Sequence, residues 1–173
     1  FVPWPDLGKL MKERHIPLFS LENKLPIRSF DLVGLSLQTE MNYTNVLYFL
    51  DLSGIPFRSS ERGDDFPIVI GGGVSTYNPE PISDFFDAFL IGEGEEAIVE
   101  IIQVISVMKG QKKSDLLSEI GQIAGVYVPS FYHIEYLKNG AVSSIQPMQQ
   151  KASPGILRRW VRDLDKAPYP EKI

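Results

Sequence analysis

The chain has 173 residues, a formal net charge of −5 and no cysteine. That length holds one domain with a real core and room for a small appendage. The acidic balance excludes a general nucleic-acid binder, which needs clustered Lys and Arg, and the one short basic cluster is Arg158-Arg159 with Arg162 nearby.

Lack of cysteine removes disulfides, thiol nucleophiles and cysteine-ligated clusters from these residues. His15 and His133 are too few for a histidine-rich metal site, while a site of carboxylates alone stays open. Apolar residues at 43% and charged residues at 23% are ordinary globular usage. No apolar run is long enough for a bilayer and no signal-peptide pattern is present, so a soluble, cytoplasmic chain is expected, without membrane or nucleic-acid partners.

Taken in order, Phe1-Val2-Pro3-Trp4-Pro5 is apolar like the end of a strand whose beginning is missing. Asp6 caps a predicted short helix with Leu7, Leu10 and Met11 on one face, closed by Ile16-Pro17. Leu18 to Leu21 reads as a short extended piece. Residues 30–37 form a near-continuous apolar run, the pattern of a parallel strand covered on both faces. A helix carrying Val46, Leu47 and Leu50 follows, with Gly54 and Pro56 as stop signals. Arg58 to Asp65 is a charged loop.

Residues 66–70 form an apolar β-rich run that ends in Gly71-Gly72-Gly73. A strand stopping this way delivers bare main chain to the carboxyl end of a sheet, where open α/β folds bind ligands. Two prolines between Val74 and Pro81 delay the next helix to about Ile82–Phe86. Residues 87–91 form a third buried strand running into Gly92-Glu93-Gly94-Glu95-Glu96. The clearest helix carries Ile98, Ile101, Ile102, Ile105 and Met108, with Lys109-Gly110 at its end. A second helix is predicted at about Ser114–Ile123. Beyond Gly125, segments 126–130, 132–137 and 141–145 read as strands, and Lys138-Asn139-Gly140 is a hairpin turn. The tail from Gln149, including 163–170, reads as an extended linker.

Three loops carry candidate chemistry. Gly71, Gly72, Gly73, Val74 and Ser75 match neither a P-loop nor the dinucleotide fingerprint, since no Lys-Ser/Thr pair follows and Thr76 stands where a last glycine belongs. The helix starts too late to cradle a phosphate, which leaves contact with another kind of ligand or tight-turn geometry alone. Gly92, Glu93, Gly94 and Glu95 form an acidic loop whose carboxylates, with Glu96, take the place an anion would want. Capping of the next helix is its leading role, ahead of direct catalysis. Ser36, Leu37, Gln38, Thr39 and Glu40, with Asn42, Tyr43 and Asn45, supply hydroxyl and amide groups to a neutral ligand or another domain, or simply cap the following helix. Neither histidine has a partner in sequence that makes it a ligand or base.

In combination, residues 30–36, 68–73 and 87–96 resemble the cobalamin-binding-like domain that precedes the catalytic barrel in many radical S-adenosylmethionine (radical SAM) proteins. Asn78-Pro79-Glu80-Pro81, Tyr43-Thr44-Asn45-Val46-Leu47 and residues 125–132 are similar to segments of an uncharacterised bacterial subfamily. Residues 161–165, with Pro168 and Pro170, resemble its linker into the barrel. The resemblance implies an α/β, flavodoxin-like open and mostly parallel sheet with helices on both faces, lacking its first strand, plus a C-terminal β-hairpin. It implies residues 1–124 as the cobalamin-binding-like domain, 125–148 as the hairpin extension and 149–173 as the linker.

It further implies a non-catalytic accessory domain that positions a corrinoid or substrate against the downstream barrel, with the three loops as cofactor-binding residues. The [4Fe–4S] cluster and S-adenosylmethionine would belong to the parent enzyme, because the three-cysteine motif would lie beyond Ile173. The family's Asp-x-His-x-x-Gly cobalamin motif would precede Phe1, so any cobalamin here would lack a histidine ligand from this chain. Two alternatives are a ligand-free interaction domain packed on the barrel, with loops filled by their own side chains, and an independent flavin or nucleotide binder, which the acidic loop disfavours.

Overall fold

The computed structural model describes residues 2–149 and 151–169. Phe1, at the opening apolar stretch, and Gln150 and residues 170–173, in the expected linker, lie outside the described residues. The chain divides between Phe86 and Asp87 into two compact units. It is α/β, as expected, with a hairpin near the C-terminal end.

In the first unit, α1 (Pro5–Glu13) starts at a proline, whose missing N–H costs nothing there. Trp4, not Asp6, holds the N-cap position, and the Asp6 carboxylate accepts from the Leu7 N–H at 2.8 Å. Of the expected apolar face only Met11 is buried; Leu7 and Leu10 are exposed. Gly8 is the contact point with the next helix, since a Cβ there would stand 1.6 Å from the Tyr48 hydroxyl. That helix, α2 (Tyr43–Ser53), buries Val46, Phe49 and Leu50, and ends at Gly54 in the left-handed region, φ 65°.

Two strands, β1 (Leu32–Ser36) and β2 (Ile68–Gly72), pair in parallel from Leu32↔Ile68 to Ser36↔Gly72. β2 is buried through Gly71, as its apolar run predicts. β1 is not: Gly34 and Ser36 are exposed. The charged loop hides one cation, for Arg62 is only 4% exposed. Its guanidinium donates to the carbonyls of Pro56, Phe57 and Phe85 at 2.9, 2.9 and 3.1 Å. Charge-assisted bonds of this kind offset the cost of burying the group. The delayed helix is a 3₁₀ helix, Glu80–Phe85, after a first 3₁₀ turn at Val74–Tyr77.

In the second unit, β3 (Ala88–Leu90) is wholly buried and pairs antiparallel with β4 (Val126–Tyr127). α3 (Ala97–Val107) buries Ala97, Ile101 and Ile105, a narrower stripe than the sequence suggests, because Ile102 is exposed. α4 (Lys113–Ile120) follows. The hairpin of β5 (Tyr132–Tyr136) and β6 (Val142–Pro147) turns at Gly140, φ 84°, as Asn-Gly predicts, with a bulge between Glu135 and Tyr136. Phe89, Tyr127 and Tyr132 form an aromatic row with centroids 6.3 and 5.1 Å apart. The Tyr132 hydroxyl donates to the Ser153 carbonyl at 2.9 Å, and burial raises its pKa.

The Asp87 carboxylate meets the Lys113 ammonium at 3.1 Å, with side chains 3% and 10% exposed. Removing one member of a buried pair leaves the other charge desolvated. Asp87→Ala should therefore cost about 3 kcal/mol, read as a lower urea midpoint at unchanged slope.

Candidate functional site

The parallel register brings the carboxyl ends of β1 and β2 side by side, and one residue ties the loops that follow. Leu37, fully buried, donates its N–H to the Gly72 carbonyl at 2.6 Å and accepts from the Ser75 N–H at 3.0 Å. Gly73 makes this approach possible. Its φ is 102°, and a Cβ would stand 2.8 Å from the Leu37 carbonyl oxygen. The Thr76 hydroxyl donates to the Gly73 carbonyl at 2.7 Å, holding the turn into Val74–Tyr77. The element that opens directly after the glycines is this 3₁₀ turn and not an α-helix, which agrees with the absence of a phosphate-loop pattern.

Around Leu37 the other expected residues assemble. Ser36, Gln38, Thr39 and Glu40 are exposed, and the Asn42 side-chain oxygen accepts from the N–H groups of Gln38 and Thr39, both at 3.1 Å. Asn42 therefore spends its carbonyl oxygen on shaping the loop. Tyr43 next to it has a raised pKa, from burial first and the Glu40 carboxylate second. Gly72 differs from Gly73, for a Cβ there would meet nothing within 4 Å. Val74 and Met41 are exposed at 67% and 83%. Beside this ledge runs a groove of about 710 Å³, lined by Gly34 and Ser36 of β1, Asn42, Asn45 and Phe49 of the helix region, and Trp4. Its volume lies in the range of small-molecule sites.

The acidic loop belongs to the second unit, and it is occupied. Gly92, φ 109°, lies against the main chain of Arg159 so closely that a Cβ would stand 2.3 Å from the Arg159 carbonyl oxygen. Arg159 N–H donates to the Ile91 carbonyl at 2.8 Å, and Glu93 N–H donates to the Arg159 carbonyl at 3.1 Å. The Glu93 carboxylate accepts from the Val161 N–H. Glu96 stands at the N-cap of α3 without a side-chain capping bond; its carboxylate accepts from the Arg159 guanidinium at 2.7 Å, as does that of Glu100. These bonds, Glu96 first, raise the Arg159 pKa. Capping was the expected role of Glu96, and a partner sixty-three residues away takes its side chain instead. Gly94 keeps a local role, accepting from the Ile98 N–H at 2.9 Å, and Glu95 is exposed.

Arg159, Val161 and Gly125 are the residues that sequence reasoning missed. Gly125, φ 90°, would carry a Cβ 2.9 Å from that of Arg159. The paired arginines stood out in the sequence, yet nothing local links them to carboxylates far upstream. His15, φ 57°, is exposed beyond α1, and His133 pairs with Gln146 in the hairpin. Among the described residues no helix is long and apolar enough to cross a membrane.

A family model described as radical SAM proteins, N-terminal, matches residues 1–129. An uncharacterised protein of Methanocaldococcus jannaschii is 27% identical over 94 residues, covering 53% of this chain and 20% of that protein. The chain thus matches about one fifth of the length of this relative. No solved structure matches.

The two neighbouring glycines should separate by mutation. Gly73→Ala forces a side chain into the left-handed region and against the Leu37 main chain, and should destabilise by about 2 kcal/mol or more. Gly72→Ala, facing open space, should stay within about 0.5 kcal/mol of the parent. Thermal or urea unfolding of both variants checks the contrast.

Proposed function

The chain belongs to the family of radical SAM protein N-terminal domains, and from that premise we propose that it is a non-catalytic accessory domain that presents a corrinoid or a substrate to the radical SAM barrel of the same protein. In this reading residues 1–124 form the cobalamin-binding-like domain, 125–148 its hairpin extension and 149–173 the linker. The parent enzyme is cytoplasmic and holds a [4Fe–4S] cluster and S-adenosylmethionine. No cysteine of this chain ligates the cluster, because it has none.

The single supporting observation is the open main chain at Gly72, at the carboxyl end of two parallel strands, beside a groove of small-molecule size. A large flat ligand lies against a surface without a Cβ, contacts exposed Val74 and Met41, and finds hydrogen-bond partners in Ser36, Gln38 and Thr39. The loops of the ledge carry no histidine, so a corrinoid held here would take no imidazole ligand from them and would rest on main chain and on the hydroxyl and amide groups of Ser36, Gln38 and Thr39. When bound, a corrinoid would supply alkyl-transfer or radical-stabilising chemistry; this chain's residues would orient it and keep water from its lower face.

A second reading, a ligand-free domain packed on the barrel, is favoured by the acidic loop, which is filled by the chain's own residues 159–161. Titration with hydroxocobalamin decides between them. In the first reading the cluster-reconstituted, full-length protein binds it with a shifted absorbance spectrum, and Gly72→Val, whose Cβ meets no protein atom within 4 Å, weakens binding about tenfold or more by the steric cost of one branched side chain. No binding of corrinoid or of S-adenosylmethionine would remove the first reading.

A further inference from the structure

The second unit contains a built receptor for an extended segment, and its occupant is part of the same chain. Two glycines 33 positions apart, Gly92 and Gly125, both adopt positive φ, and at both a Cβ would collide with Arg159. The Arg159 main chain bonds on both sides of Gly92, through Ile91 and Glu93, in the manner of an added parallel strand. Glu96 and Glu100, one turn apart on α3, share a helix face. Glu100 takes the guanidinium on both oxygens, at 2.7 and 3.4 Å, and Glu96 takes it at 2.7 Å, with the Arg159 side chain only 17% exposed. Glu93 reads the next N–H but one, that of Val161, which is 6% exposed. Farther along, Ala167 is buried again, whereas Leu157, Trp160 and Leu164 stand exposed at 84%, 61% and 65%. A loose tether would show no such division.

We propose that residues 158–161 act as a clamp, seated on Gly92 and Gly125 and locked by Arg159 on Glu96 and Glu100, which fixes the direction in which the chain leaves this unit for the radical SAM domain. The clamp rests on the reading that such a domain follows, and its occupant, not a cofactor, is what the acidic loop binds. Arg159 is a positioning residue. Its planar fork suits two carboxylates as a lysine point charge does not.

Hydrogen exchange on the full-length protein tests the lock. Arg159→Ala should speed exchange of the Glu93, Arg159 and Val161 amides about tenfold or more, the loss expected for charge-assisted bonds, while α3 amides such as Ile101 keep their protection. Arg159→Lys should fall between. Gly92→Ala should loosen the same amides by pushing a Cβ into the Arg159 main chain. Should Arg159→Ala unfold the unit, seen as lost α3 protection, Glu100→Gln gives the reading instead. Unchanged exchange in Gly92→Ala together with Arg159→Ala or its substitute overturns the clamp. In the same variants, the distance distribution between a spin label at exposed Gln103 and one on the radical SAM domain should broaden. A distribution that stays narrow while the strap loosens overturns its role in setting direction. Neither outcome depends on corrinoid binding, so a failed cobalamin titration removes only the proposed ligand.

Discussion

The first unit turns on the contact between Leu37 and Gly73. Parallel pairing alone would align β1 and β2 and leave the two following loops free to diverge. Leu37 spends both its N–H and its carbonyl on residues after β2, and it can do so only because Gly73 has no side chain to keep the main chains apart. With that junction fixed, Ser36, Gln38 and Thr39 face outward next to Gly72 as a consequence, not as separate arrangements.

The second unit uses the same device at Gly92, with a different result. There too a positive φ and a missing Cβ admit another stretch of main chain. The approaching strand comes from residues 158–161, and the carboxylates beside it neutralise its arginine instead of repelling an anion. Two glycines that look alike in sequence thus serve internal packing, whereas at Gly72, whose φ does not require glycine, an added Cβ would meet nothing within 4 Å.

Much of this was legible. The apolar runs at 30–37, 66–70 and 87–91 announce strands, Gly54 announces the end of α2, and Asn139-Gly140 announces the hairpin, because each signal is local and backbone-driven. What depends on distant partners was not. Nothing near Arg62 says that it will bond three carbonyls, nothing near Lys113 points to Asp87, and Glu96 looks like a cap until Arg159 is brought to it. The glycine loops stand out in sequence as candidate ligand contacts or tight turns, and at Gly73 and Gly92 the neighbour is the chain's own main chain. The identity of that neighbour, self or ligand, is set by tertiary structure and is absent from the pattern.

The family match ends at residue 129, and the strap begins almost thirty residues later. A protein cut at that boundary would keep the residues of β3, α3 and β4 yet lose the partner of the Ile91 carbonyl and of the Glu93 N–H, and with Arg159 the guanidinium that bonds both Glu96 and Glu100. The evolutionary unit and the physically closed unit therefore have different lengths. Residues 1–129 moved to another setting would carry their strands and helices with them but leave behind the main-chain partner that residues 91–93 bond in this structure.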